Sequence, residues 1–120
     1  MKNTIRTLAI VAVLVGLAAV PATSALAADP SVDIVASNWK FTPNTIELHV
    51  GETTTLRLTS SEGIHGLQSD ELGIPQTAIE PGSSKTIQVT PKKAGKYVLH
   101  CAIMCGAGHA NMTLTVNVAP

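Results

Sequence analysis

From Val32 to Val118 apolar residues recur at every second position in short runs, and no segment longer than one turn repeats at helical spacing. A period of two puts one face of an extended segment inside and the other in water, so the pattern demands strands. Val32, Ile34 and Ala36 share one face. So do Ile46, Leu48 and Val50, then Leu56 and Leu58, then Ile87 and Val89, and at the end Leu114, Val116 and Val118. Turn signals divide these runs: Thr42-Pro43-Asn44, Gly51-Glu52, Ser60 to Gly63, Pro81-Gly82, and Lys92 to Gly95 after Pro91. Trp39 and Phe41 extend the first run, Tyr97, Val98 and Leu99 lead into Cys101, and Ser69 to Pro75 reads as irregular. Roughly seven or eight short strands at this spacing predict an all-β sandwich or barrel. The chain holds one Trp, one Phe and one Tyr, so the core must come from aliphatic side chains.

The first stretch has a different character. Lys2 and Arg6 precede an uncharged apolar run from Leu8 to Val20; Pro21 breaks it and Ala25-Leu26-Ala27 follows. This is the form of a secretory leader with a small-residue cleavage site. The competing reading is an uncleaved anchor, but the run is short beside the about 20 residues that span a bilayer. No cysteine stands near Ala27 to take a lipid. Residues 1–27 are therefore expected to be a signal peptide and 28–120 one exported domain, periplasmic or extracytoplasmic, with no membrane span in its mature part.

Charge excludes some partners. The whole chain balances eight basic against eight acidic side chains; Lys2 and Arg6 belong to the leader, so the domain is slightly acidic. Lys92, Lys93 and Lys96 form its one small basic cluster, which reads as a solvated turn. Nucleic-acid binding needs clustered Lys and Arg, so none is expected.

The chemistry concentrates in Cys101 to Met112, C-A-I-M-C-G-A-G-H-A-N-M, which contains both cysteines of the chain. Cys101, Cys105, His109 and Met112 stand at C-x3-C-x3-H-x2-M spacing, between one strand and the next. Thiolate, imidazole and thioether together suit copper better than a hard cation. Glycine and alanine fill the loop and let its backbone turn tightly. His65, at a strand end after a turn, can reach the same edge.

Four arrangements compete. A Cys101–Cys105 disulfide fits an oxidising compartment, but closes too short a loop to stabilise much and leaves His109 and Met112 unexplained. A structural zinc would take Cys101, Cys105, His109 and His65. A mononuclear blue copper would take His65, Cys105, His109 and Met112 and leave Cys101 idle. Two coppers bridged by both thiolates would use every donor, with one histidine each and Met112 and a backbone carbonyl completing the set.

The wider sequence resembles one family. Asn38-Trp39-Lys40-Phe41-Thr42-Pro43 with Ile46, Leu48, Val50 and Gly51, then Ile64-His65-Gly66-Leu67 and Leu72-Gly73-Ile74, then Pro81-Gly82, Thr90-Pro91, Ala94-Gly95, Tyr97 and Cys101-x3-Cys105-Gly106-x2-His109, are similar to the CuA domain of cytochrome c oxidase subunit II, shared with nitrous oxide reductase. The resemblance covers nearly all of the chain after the leader. It implies a cupredoxin fold, a Greek-key β-sandwich, with a binuclear copper centre. It also implies ligand roles: Cys101 and Cys105 as bridges, His65 and Met112 on one copper, His109 and the backbone carbonyl of Ile103 on the other.

Two departures stand out. Oxidase members carry membrane helices before this domain, and they commonly hold a metal-binding glutamate where this chain has Ile103. Both point to a free-standing relative. Around the motif, Met104 is expected as an apolar cap, His100 and His49 as surface residues and Trp39 as core or near-site packing. The expected activity is one-electron transfer by a monomer to or from a cytochrome c-like protein or a reductase. The competing activity is periplasmic copper storage or delivery to a copper-accepting protein. No Ser/His/Asp set, no carboxylate pair and no open coordination position suggests an enzyme.

Overall fold

The computed structural model describes residues 15–22 and 28–120. The basic leader residues Lys2 and Arg6 and the Ala25-Leu26-Ala27 site lie outside the described residues. Residues 15–22 have no regular secondary structure and are exposed. Among the described residues no helix is long and apolar enough to cross a membrane.

Nine strands among the described residues carry the fold: β1 Ser31–Ser37, β2 Lys40–Thr42, β3 Thr45–His49, β4 Thr54–Ser60, β5 His65–Ser69, β6 Ile74–Ile79, β7 Ser84–Val89, β8 Gly95–His100 and β9 Thr113–Ala119. They form a four-stranded sheet in the order β2-β1-β4-β7, a three-stranded sheet β3-β9-β8 and a β5-β6 pair. β1 runs parallel to β4 and β3 parallel to β9; the other pairs are antiparallel. The all-β expectation holds.

Alternation decides which face each strand buries. Ile34 and Ala36 of β1 and Leu56 and Leu58 of β4 point inward from one sheet. Ile46 and Leu48 of β3, Leu99 of β8 and Leu114, Val116 and Val118 of β9 point inward from the other. Together with Phe41 they form one core, and Leu67, Ile74 and Ile79 of the β5-β6 pair join it. Each fully buried aliphatic side chain contributes about 1.5–3 kcal/mol relative to exposure. The aliphatic core expected from the scarcity of aromatics is what forms.

The strand count exceeds the expectation for two local reasons. The first run breaks at a turn at Asn38–Trp39, so Lys40–Thr42 folds back on β1 as a separate strand, with Ser37 opposite Lys40. The segment read as irregular ends earlier than expected: a turn occupies Asp70 to Gly73, and Ile74–Ile79 is a strand. Pro75 masked it. A proline lacks the amide that a central strand must donate, yet is tolerated on an edge, and β6 pairs only with β5. The basic cluster is solvated as expected: Lys92, Lys93 and Lys96 are all exposed at the turn into β8.

Candidate metal centre

The ends of β5, β8 and β9 bring the chemistry together. Cys101 follows β8 directly and Met112 precedes β9 directly. The Cys101 amide donates to the Met112 carbonyl at 3.0 Å, which carries the β8-β9 pairing one residue past its last strand pair. Both side chains point inward: Met112 is 0% exposed and Cys101 4%. The strand ladder thus fixes the two ends of the loop. His65 opens β5 and is 0% exposed. The Ala102 amide donates to the Gly66 carbonyl at 3.0 Å, which ties β5 to the start of the loop.

His65 is oriented by its own turn. Its Nε2 lies 2.7 Å from the Glu62 carbonyl oxygen. A carbonyl only accepts, so Nε2 carries the proton and Nδ1 keeps its lone pair. That Nδ1 is buried with no hydrogen-bond partner. An unsatisfied buried acceptor costs about 1–3 kcal/mol, and a metal ion is one thing that satisfies it. Metal-bound histidines characteristically donate their other ring N–H to a carbonyl or carboxylate in this way.

The thiols face it. Donor atoms of His65, Cys101 and Cys105 all lie within 4.8 Å of one another, and both cysteines are free. The Cys101 thiol donates to the Ile103 carbonyl at 3.1 Å. The Cys105 thiol donates to Met112 Sδ at 3.8 Å, and its Sγ lies 3.5 Å from His109 Nδ1. All six positions that the sequence singled out therefore meet at one edge. His109 stands a little apart: it sits on a single turn of 3₁₀ helix, His109–Asn111, and does not join the mutually close group. Burial first, then the hydrogen bond with Cys101 and its charge, push the Cys105 thiol up to about 11 from an ordinary 9.0. A backbone hydrogen bond of its own opposes the rise.

The supporting residues were less visible in the sequence. Gly66 leaves space for Ile103: a Cβ there would lie 2.7 Å from Ile103 Cγ1. Gly63 adopts φ +78° in the turn that aims His65, and a Cβ there would meet Asn38 Oδ1 at 2.7 Å. The turn glycine was legible; the close approaches were not, because they join segments distant in sequence. Trp39 lies against the loop, as expected of near-site packing. Its Nε1 donates to the Cys105 carbonyl at 3.0 Å. Met104 is 79% exposed, and His100 and His49 are exposed. A shallow cleft between β5 and β8, lined by Asp70, Glu71, His100 and Cys101 among others, opens beside the donors. No three metal-binding groups converge there among the described residues.

The fold has known relatives. Residues 8–116 match the cupredoxin-like domain family. Cytochrome c oxidase subunit 2 of Thermus thermophilus is 33% identical over 88 residues, which are 73% of this chain and 64% of that relative. The chain thus spans somewhat less than two thirds of that relative's length. Among solved structures, the periplasmic domain of cytochrome oxidase subunit II from Bradyrhizobium japonicum superposes with a TM-score of 0.69 at 18% identity, covering 78% of this chain and 86% of that one. Auracyanin A, a blue copper protein of Chloroflexus aurantiacus, superposes with a TM-score of 0.57 at 13% identity, covering 77% of this chain and all of that one. At those identities the two structures establish the shared fold.

Proposed function

The chain belongs to the cupredoxin-like family, and on that premise we propose that it carries a binuclear CuA-type copper centre and serves as a one-electron carrier. The donor inventory carries the reading. A single four-coordinate ion uses four donors and leaves two stranded. Two ions sharing both thiolates use all six: Cys101, Cys105, His65, Met112, His109 and the Ile103 carbonyl. The donor chemistry fits, since the set is soft or borderline except for one carbonyl. The orphaned His65 Nδ1 fits as well. Zinc in a Cys2His2 set would leave Met112 and the Ile103 carbonyl unused, and a mononuclear blue copper would leave Cys101 unused.

Bound copper would supply the one-electron couple; the chain's residues supply everything else. Cys101 and Cys105 would bridge. His65 and Met112, both fully buried, would complete one copper and exclude water from it. His109 and the Ile103 carbonyl would complete the other. Donors held by strand pairing change little between oxidation states, which keeps the reorganisation cost low. No donor position is left over for a substrate, so the protein is read as a carrier rather than an enzyme. Burial of His65, Cys101 and Met112 supports holding copper over handing it on, the competing activity.

We further assign residues 1–27 to a cleaved export leader and 28–120 to the working domain, periplasmic and monomeric. Its partner would be a redox protein, cytochrome c-like or a reductase. The amino-terminal residue of the exported protein tests the leader; a start far from Ala28 overturns it. Anaerobic copper reconstitution with metal counting and EPR tests the centre. Two coppers per chain with hyperfine structure from both nuclei are expected. One copper with an intense blue band overturns the binuclear reading.

A further inference from the structure

The strand pairing that fixes Cys101 and Met112 does not reach the middle of the loop. Cys105 to Gly108 lacks any strand partner, yet His109 depends on its path. Its own turn bonds, the His109 amide to the Gly106 carbonyl at 3.2 Å and the Asn111 amide to the Gly108 carbonyl at 3.1 Å, shape it but tie it to no other element.

Trp39 lies against this segment. It comes from the turn between β1 and β2, in the other sheet, where Ser37 pairs with Lys40 and so anchors both sides of the turn. Its indole N–H donates to the Cys105 carbonyl at 3.0 Å. The ring itself covers the two glycines that follow. A Cβ at Gly106 would come 2.9 Å from Trp39 Nε1, and one at Gly108 2.5 Å from Trp39 Cγ. Gly106 also takes φ +124°, a conformation that favours glycine. The contacts therefore need all three residues as they are: an indole with its donor, and two positions without side chains. Trp39 is 40% exposed, so it packs over the loop from outside instead of filling the core.

We propose that Trp39 is a positioning residue for the Cys105–His109 half of the centre. It ties that half to the four-stranded sheet through the Cys105 carbonyl and the glycine backbone. It thereby sets how firmly the protein retains copper and how evenly the two ions are held. This inference rests on the copper reading above. It adds a specific device that favours holding copper over releasing it.

Two variants probe the contact from opposite sides. Trp39→Phe keeps an aromatic ring and deletes the N–H donor. Gly108→Ala keeps the donor and pushes the ring away. Each is loaded with copper and compared with the parent for release to a Cu(I) chelator and for EPR hyperfine pattern, with circular dichroism as the check on folding. Loss of an outer partner of a metal ligand typically weakens binding about 10–100-fold. Release at least about tenfold faster and an altered hyperfine pattern are expected in both variants, with the β spectrum unchanged. A purely structural ring would leave the hyperfine pattern where it is. In the Trp39→Ala background the added methyl of Gly108→Ala meets no ring, so the double variant should release copper no faster than Trp39→Ala alone. Parent-like release and hyperfine pattern in Trp39→Phe overturn the proposal, as do fully additive effects in the double variant. If the parent takes up no copper pair, the copper reading fails by itself, and amide exchange of the metal-free loop then decides the role of Trp39. Faster exchange at Gly106 to His109 in Trp39→Phe supports it; unchanged exchange overturns it.

Discussion

The candidate centre has a strand-borne half and a loop-borne half, and the chain stabilises them differently. His65, Cys101 and Met112 sit at or beside strand ends and are buried. Cys105 and His109 sit on the loop and are partly exposed. Donor atoms of His65 and Cys101 lie within 4.8 Å of each other and of Cys105, whereas His109 meets this group only through Cys105. The difference teaches that strand ends fix one half. The other half has turn hydrogen bonds of its own, such as the His109 amide to the Gly106 carbonyl, and is tied to the other sheet by Trp39 and the glycines that let it approach.

The comparison can be tested hardest at the thiol that the strands hold. Cys101→Ser should abolish the binuclear centre outright, seen as loss of the second copper by metal counting and of two-nucleus hyperfine structure by EPR. A variant that still binds two coppers would show that Cys101 is no bridge. Next in size is Met112→Ala. A fully buried methionine reduced to alanine costs about 2–5 kcal/mol, so urea unfolding of the metal-free protein should shift strongly. The loop counterpart, His109→Ala, should shift the same curve by under about 1 kcal/mol, since a partly exposed side chain outside the core contributes little. Equal shifts would erase the distinction between the halves.

Gly66→Ala tests the seam between them. The new methyl must displace Ile103, and overpacking of this kind costs about 1–3 kcal/mol. Copper stoichiometry should suffer as well, because in the proposed centre Ile103 would offer its carbonyl from the same backbone. Unchanged stability with two coppers bound would mean that the loop yields freely there.

The smallest effect expected is on pH. In the metal-free fold the Cys105 thiol is held up to about 11 from 9.0, so the native state binds its proton more tightly than the unfolded chain. That contribution to stability is fully present below about pH 9 and is lost as pH rises through about 11. Cys105→Ser should flatten the alkaline limb of a stability–pH curve, and an identical limb would place the cause elsewhere.

Much of this could be read from residues in order. Alternation at Ile46 and Leu48, or at Leu114, Val116 and Val118, is a local signal and placed those strands correctly. The C-x3-C-x3-H-x2-M spacing is equally local, and His65 followed from its place after a turn. Ile74–Ile79 escaped notice because Pro75 interrupts the pattern and only the edge pairing with β5 makes it tolerable. The strand at Lys40–Thr42 escaped because three residues carry no period. At the site, nothing set Gly66 apart, and Gly108 read as one of several small loop residues. Their constraint is a neighbour far away in the chain, Ile103 for one and Trp39 for the other.

The sequence by itself determined an all-β chain and gathered most of the candidate donors in one loop, because periodicity and ligand type are properties of short segments. Only the tertiary structure decided how those donors face one another. The Glu62 carbonyl takes His65 Nε2 and leaves the buried Nδ1 without a hydrogen-bond partner, and β8-β9 pairing sets Cys101 beside Met112. Trp39 crosses from the other sheet to hold Cys105. Such contacts join residues that packing alone brings together, so no local pattern announces them.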